Sequence, residues 1–164
     1  MQRKQEVDIK LQRVRELLKK KGLDALLIKK QPNFSWLTAG GLNMVGITTE
    51  IGATSLLITH SDCYVIASRI EAGRMMQEEG LENLGFTLLD YEWYDNKEMD
   101  LVREVVGEGR IGGDLAVPGV EDLTADVNRM RYSLTEGEIQ RYLFLGDKVS
   151  EAVEKTLTEV EPGD

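Results

Sequence analysis

Few side chains in this sequence have both the type and the spacing to do chemistry. The most literal pattern is Gly107-Glu108-Gly109-Arg110-Ile111-Gly112, a G-x-G-x-x-G. In a dinucleotide site that pattern follows a strand and opens a helix, so that the pyrophosphate meets a helix N-terminus. Here the periodicity puts a helix before it and a strand after it, so Gly107 or Gly109 reads better as a helix cap at positive φ. His60 is the sole histidine and lies in a predicted turn. Zinc and non-haem iron sites need more nitrogen and sulfur ligands than this, and there is no H-E-x-x-H. Cys63, the sole cysteine, is near His60 in sequence, but a hairpin turn gives the two no buried pocket, and a partly buried strand-start thiol is the plainer reading. Glu78-Glu79 and Asp90/Glu92 sit at adjacent or alternating positions, without the convergence a general acid–base pair needs. Ser35 has no G-x-S-x-G context.

One cluster remains. Pro32-Asn33-Phe34-Ser35-Trp36-Leu37-Thr38-Ala39-Gly40-Gly41 places Phe34 and Trp36 two residues apart, in a chain with only ten aromatic residues. Such a pair either plugs a core or lines a binding surface, and the residues alone leave both readings open.

The elements that would position these residues follow from periodicity. Val7, Leu11, Val14 and Leu18 mark a helix over 5–21, with Lys19-Lys20-Lys21 suited to its C-terminal dipole and Gly22 to its end. Leu23 to Ile28 reads as a short buried strand that Pro32-Asn33 breaks, and Phe34 to Leu37 as a helical turn or strand. Ser55 to Ile58 and Tyr64 to Ala67 form a hairpin. Ser68 with Glu71 is a capping box opening a helix to Glu79, which Gly80 ends. Phe86 to Tyr91 is a strand. Asp95 with Glu98 caps a helix carrying Met99, Val102 and Val106, and Arg110 to Gly113 is a strand. Pro118-Gly119 turns into a helix with Val120, Leu123, Val127 and Met130 on one side. Alternating strands and helices, with one hairpin, imply an α/β domain with a mixed sheet and helices packed on it.

The last stretch opens with Thr135-Glu136-Gly137-Glu138, a T-x-x-E capping box. Ile139, Tyr142, Val149, Val153, Leu157 and Val160 then form one stripe of a helix about 35–40 Å long. A long amphipathic helix needs a surface to lie on, so the sequence is expected to be the front piece of a longer protein.

Composition bounds the rest. At 164 residues the chain suffices for one domain plus an extra element. With 29 acids against 20 bases, a net charge of −9, it repels phosphate backbones, so no nucleic-acid partner is expected. Apolar runs are too short for a membrane span, no secretory leader is visible, and a single cysteine suits a reducing cytoplasm. Residues 1–30 carry ten bases and four acids, and residues 134–164 three bases and eight acids. The two terminal helices either attract one another or are simply two solvated faces.

Three ordered segments now carry a resemblance: Arg13-Val14-Arg15-Glu16-Leu17-Leu18, Gly22-Leu23-Asp24-Ala25-Leu26-Leu27-Ile28 and Pro32-Asn33-Phe34-Ser35-Trp36-Leu37-Thr38. They resemble the opening of Xaa-Pro dipeptidases and aminopeptidases P, the creatinase/prolidase N-terminal domain. Tyr64-Val65-Ile66-Ala67-Ser68-Arg69-Ile70-Glu71-Ala72 is similar to the family's second strand and following helix. Arg131-Tyr132-Ser133-Leu134-Thr135-Glu136-Gly137-Glu138-Ile139 is similar to the join before its catalytic domain, without the family's lysine, and Glu161-Pro162-Gly163 to the end of that domain's first helix. The resemblance implies a three-layer α/β domain with a ribonuclease-H-like sheet over 1–132, and a linker with the first helix of a catalytic domain over 133–164. It also implies a following "pita-bread" domain whose two Asp, one His and two Glu hold two divalent metal ions, manganese or cobalt, that activate water against the peptide bond before proline. This segment would carry neither catalytic residues nor metal ligands. It would serve dimerisation and active-site closure, with Phe34 and Trp36 as substrate-binding residues. The implied partners are a second copy in a homodimer and a proline-containing peptide, in the cytoplasm, with no nucleic acid and no membrane. The alternatives are the N-terminal domain of a creatinase-like amidinohydrolase and a stand-alone peptide- or protein-binding module.

Overall fold

A computed structural model of the chain describes residues 2–161 and 163, so Pro162 of the Glu161-Pro162-Gly163 motif and the last residue, Asp164, lie outside the described residues. Helix α1 spans Arg3–Lys21 and buries Val7, Leu11, Val14 and Leu18, the stripe expected from their spacing. Gly22 ends it at φ 64°, and its N–H reaches the carbonyls of Leu18 and Lys19. Only glycine adopts that left-handed conformation without strain.

Strand β1 (Ala25–Lys30) is the hinge of the sheet. It pairs antiparallel with β2 (Ile51–Thr59) and parallel with β5 (Ile111–Gly113). Strand β3 (Cys63–Ser68) pairs antiparallel with β2, and β4 (Thr87–Tyr91) parallel with β3. A two-residue strand β6 (Glu121–Asp122) extends the far edge, giving the order β4-β3-β2-β1-β5-β6. Side chains alternate across the sheet. Leu26, Ile28, Leu56, Ile58 and Val65 join one core with α1, while Ala25, Leu27, Leu57 and Ile66 join a second with α4 (Glu98–Val106). The architecture is the expected mixed sheet between two helical layers.

Several local expectations are resolved or change. The strand ends before Pro32-Asn33, and of the two readings of Phe34 to Leu37 the helical one holds: β1 runs straight into helix α2 (Gln31–Leu37), with Pro32 in its first turn, where a missing N–H costs no helical bond. The buried carboxylate of Asp114 stabilises this junction by accepting from Lys29 N (2.8 Å), Lys30 N (3.0 Å) and Asn33 Nδ2 (2.9 Å). Ser68 makes no cap, because Arg74 holds Glu71 at 2.7 Å, and α3 (Arg69–Gly73) passes into a π-helical turn, Arg74–Glu78. Asp95 does not cap α4; Asn96 accepts the Glu98 N–H at 3.0 Å, and Glu98 turns inward to Lys29 and Ser55. After Pro118-Gly119 comes β6 before α5 (Thr124–Met130), so Leu123 and Val127 pack on the α1 side and Val120 on the α4 side.

The connector after α5 is tied to α1, with Arg13 donating to the Ser133 carbonyl at 2.5 Å. Helix α6 (Glu136–Glu159) then starts on the predicted capping box: Glu138 N donates to Thr135 Oγ1 at 3.3 Å and Thr135 N to Glu138 Oε2 at 2.7 Å. Beyond its first turn the helix is exposed, Tyr142, Val149, Val153 and Leu157 included.

A Cβ on Gly112 would lie 2.3 Å from Leu123 Cδ1 and 2.9 Å from Leu23 Cδ1. Gly112→Ala is therefore expected to lose about 1–3 kcal/mol through overpacking, read as a lower urea midpoint at unchanged m-value.

Candidate functional site

Helices α1, α2 and α6 converge on one buried cation. Lys10 is 1% exposed, yet its Nζ lies 2.6 Å from Glu6 Oε1, 2.9 Å from Glu138 Oε1 and 2.7 Å from the Trp36 carbonyl. It also sits 5.6 Å from the centroid of the Trp36 ring, within cation–π range. Glu6 is as buried as Lys10 and takes a second cation, Arg141, whose Nη1 and Nη2 donate to its two oxygens at 3.0 and 2.8 Å. Spacing explains the convergence. Glu6 and Lys10 are four apart on α1, and Glu138 and Arg141 three apart on α6, so each helix offers an acid and a base on one face.

The terminal helices thus do meet, through an alternating quartet rather than through net charge. The basic helix supplies its acid Glu6, and the acidic helix its base Arg141. Burial alone would raise the Glu6 carboxyl, but hydrogen bonds from Arg141 and Lys10, with their charges, outweigh it and hold the group below its ordinary value. Glu138 behaves alike: burial raises it, while the Thr135 N–H and Lys10 bring it down further.

A cleft of about 710 Å³ opens beside this quartet. Pro32, Ser35, Trp36, Ala39 and Gly40 form one wall, Asn128, Arg131 and Tyr132 a second, and Leu134, Tyr142 and Leu145 a third. Trp36 is 7% exposed and on the wall; its indole Nε1 is buried without a hydrogen-bond partner, an arrangement that costs about 1–3 kcal/mol. Phe34 is fully buried in the α1-side core. Both open readings of the aromatic pair thus find a place, Phe34 in the core and Trp36 at the border of core and cleft.

Arg131 is oriented from behind. Asn33 donates its amide to Asp114, so its oxygen faces Arg131 and accepts from Nη1 at 3.0 Å. Periodicity gave no hint of this relay, since its members lie 81 and 98 residues apart. Lys10 and Glu6 did leave a trace in the sequence, as charges flanking the apolar stripe of α1 at helical spacing.

The remaining candidates have structural roles. His60 Nε2 lies 3.0 Å from the Leu23 carbonyl. Burial pushes the Cys63 thiol up, which disfavours a thiolate, and its Sγ faces the Gly85 carbonyl at 3.2 Å. Gly107 caps α4 at φ 62°, while a Cβ on Gly109 would crowd Val106 and Asp24, so the G-x-G-x-x-G serves packing. Among the described residues no group of three or more His, Cys, Asp or Glu is placed to hold a metal ion, and no helix is long and apolar enough to cross a membrane.

Because the carboxyls of Glu6 and Glu138 sit below the unfolded value near 4.5, the stability they confer is full above about pH 4.5 and is lost as pH falls through their lower folded values. Lys10→Met is expected to cost about 3–5 kcal/mol at neutral pH and to move this acid limb upward, measured by urea denaturation from pH 7 to 3.

The pattern of the creatinase/prolidase N-terminal domain matches residues 10–132. Among curated proteins none matches by sequence. Among solved structures, the prolidase of Pyrococcus horikoshii OT3 superposes with a TM-score of 0.66 at 18% identity, over 94% of this chain and 44% of that one. An Xaa-Pro dipeptidase from Bacillus anthracis gives 0.69 at 16% identity, over 96% and 45%. The N-terminal domain of an Xaa-Pro dipeptidase from Lactobacillus brevis gives 0.54 at 14% identity, over 73% and 98%. The chain therefore spans less than half the length of the first two and shares their fold.

Proposed function

Since the chain belongs to the creatinase/prolidase N-terminal domain family, we infer that it is the non-catalytic front part of a metal-dependent Xaa-Pro dipeptidase or aminopeptidase. The family match over 10–132 carries this reading. Residues 1–132 form the domain proper, and residues 133–164 supply the linker and first helix of a catalytic domain. The unshielded stripe of α6, with Tyr142, Val149, Val153 and Leu157 at least half exposed, suits a helix that packs on further protein. The catalytic metal pair, manganese or cobalt, belongs to that second domain; among the described residues of this chain no group of three or more His, Cys, Asp or Glu is placed to hold it.

In the full-length protein the domain serves homodimerisation and active-site closure in the cytoplasm. Exposed apolar side chains at Leu42, Val45 and Ile47, and the edge-on pair Trp93–Tyr94, provide surface for the first role. For the second, Trp36 forms a substrate-side wall with Phe34 fully buried in the core behind the helix that carries it.

The first test is to express the whole reading frame and assay hydrolysis of Xaa-Pro dipeptides with manganese or cobalt. The longer product is expected to be active and the 164-residue chain inactive. A stop codon directly after Asp164, or a full-length product that cleaves creatine instead, overturns the reading. In the active protein, Trp36→Ala is expected to raise KM about tenfold, equivalent to ~1.4 kcal/mol of binding, or to alter preference for the residue before proline. Unchanged kinetics with a lowered Tm would assign Trp36 to the core alone.

A further inference from the structure

We propose that the cleft bounded by α2, α5 and α6 binds a small monocarboxylate carrying an apolar group, with Arg131 receiving the carboxylate. Two of the three cations on the cleft wall are already matched: Lys10 by Glu6 and Glu138, and Arg141 by Glu6. Arg131 is half-buried and, among the described residues, has no carboxylate within ion-pair distance. One of its five N–H donors goes to Asn33 Oδ1. Behind it, Asp114 is fully buried and is linked to it through the Asn33 amide, while Glu138, on the same cleft, is matched by Lys10. The relay fixes the guanidinium, and among the described residues its other donors meet no hydrogen-bond partner. A planar fork held in this way suits the two oxygens of a carboxylate.

Size and lining narrow the class. The cleft volume of about 710 Å³ lies within the range of small-molecule sites. Trp36, Pro32, Tyr142 and Leu145 offer apolar and aromatic surface beside Arg131. With a single uncommitted cation, in a chain of net charge −9, a monoanion fits and a phosphate dianion does not. The acid can be a free compound or the C-terminus of a peptide. The inference concerns this chain alone and does not rest on the peptidase reading.

Trp36 is a reporter once the exposed second tryptophan is removed. In a Trp93→Phe background, N-acetyl-phenylalanine is expected to change Trp36 fluorescence saturably, with a Kd of about 1 mM. Its amide, which lacks the charge, is expected to bind at least about tenfold more weakly. Arg131→Gln should lose the acid-over-amide preference, and Arg131→Lys should keep part of it. Should Arg131→Gln fail to fold, the acid–amide comparison decides by itself. Tyr142→Ala should weaken acid and amide together. Tighter binding of a tripeptide with a free C-terminus than of the single residue assigns the site to peptide ends; the reverse assigns it to free acids. Equal binding of acid and amide, no saturable change up to tens of millimolar, or tighter binding of inorganic phosphate would overturn the proposal.

Discussion

Burying the ammonium of Lys10 commits three helices at once. A charge removed from water costs several kcal/mol unless its partners are close and well aligned. Glu6 on α1, the Trp36 carbonyl on α2 and Glu138 on α6 all lie within 3 Å of it. None of the three helices can shift without leaving that charge exposed to an apolar interior. Arg141 completes the balance by binding Glu6, so the acid–base alternation holds across the junction. The apolar stripe of α1 decides that this helix lies on the sheet. The charge cluster decides which way α6 leaves it.

The same reasoning applies one layer deeper, at β1. Its first four residues are buried on both faces of the sheet, as a central strand requires. At Lys29 the register with β2 shifts, and the backbone N–H groups of Lys29 and Lys30 turn to Asp114. A buried carboxylate thus replaces the ladder where the strand becomes a helix. Asn33 passes the orientation on to Arg131, coupling the sheet interior to the cleft wall. On the other face, Glu98 is tied to Lys29 and Ser55, which anchors α4 to the same pair of strands. Most buried polar side chains are hydrogen-bonded, and Asp114, Asn33, Glu98 and Lys10 each tie one element to another.

The functional surfaces follow from this rigidity. The cleft is built on helices α2, α5 and α6 together with the turn after α2 and the α5–α6 connector, which Arg13 and Asn33 hold in place. The apolar stripe of α6 is different in kind: Val149, Val153 and Leu157 lie beyond the cleft, and their exposure is the feature that sets this helix apart from the α/β layers.

The sequence by itself determined the α/β class, the stripe and glycine stop of α1, the central hairpin, the Thr135–Glu138 cap and, through ordered motifs, the family. All of these depend on residues near one another in the chain or on a fixed period, which is what a linear reading can detect. It misread Ser68 and Asp95 as caps, because a capping box is a local option that a better-placed partner can take away: Arg74 took Glu71, and Asn96, ahead of Lys97 at the cap position, accepts the Glu98 N–H. Only the tertiary structure decided that Pro32 opens a helix, that Phe34 is core while Trp36 borders a cleft, and that Glu6 and Lys10 meet Glu138 and Arg141. Those contacts span up to 135 residues of chain. Their energies come from desolvation and from pairing in three dimensions, and neither leaves a period in the sequence.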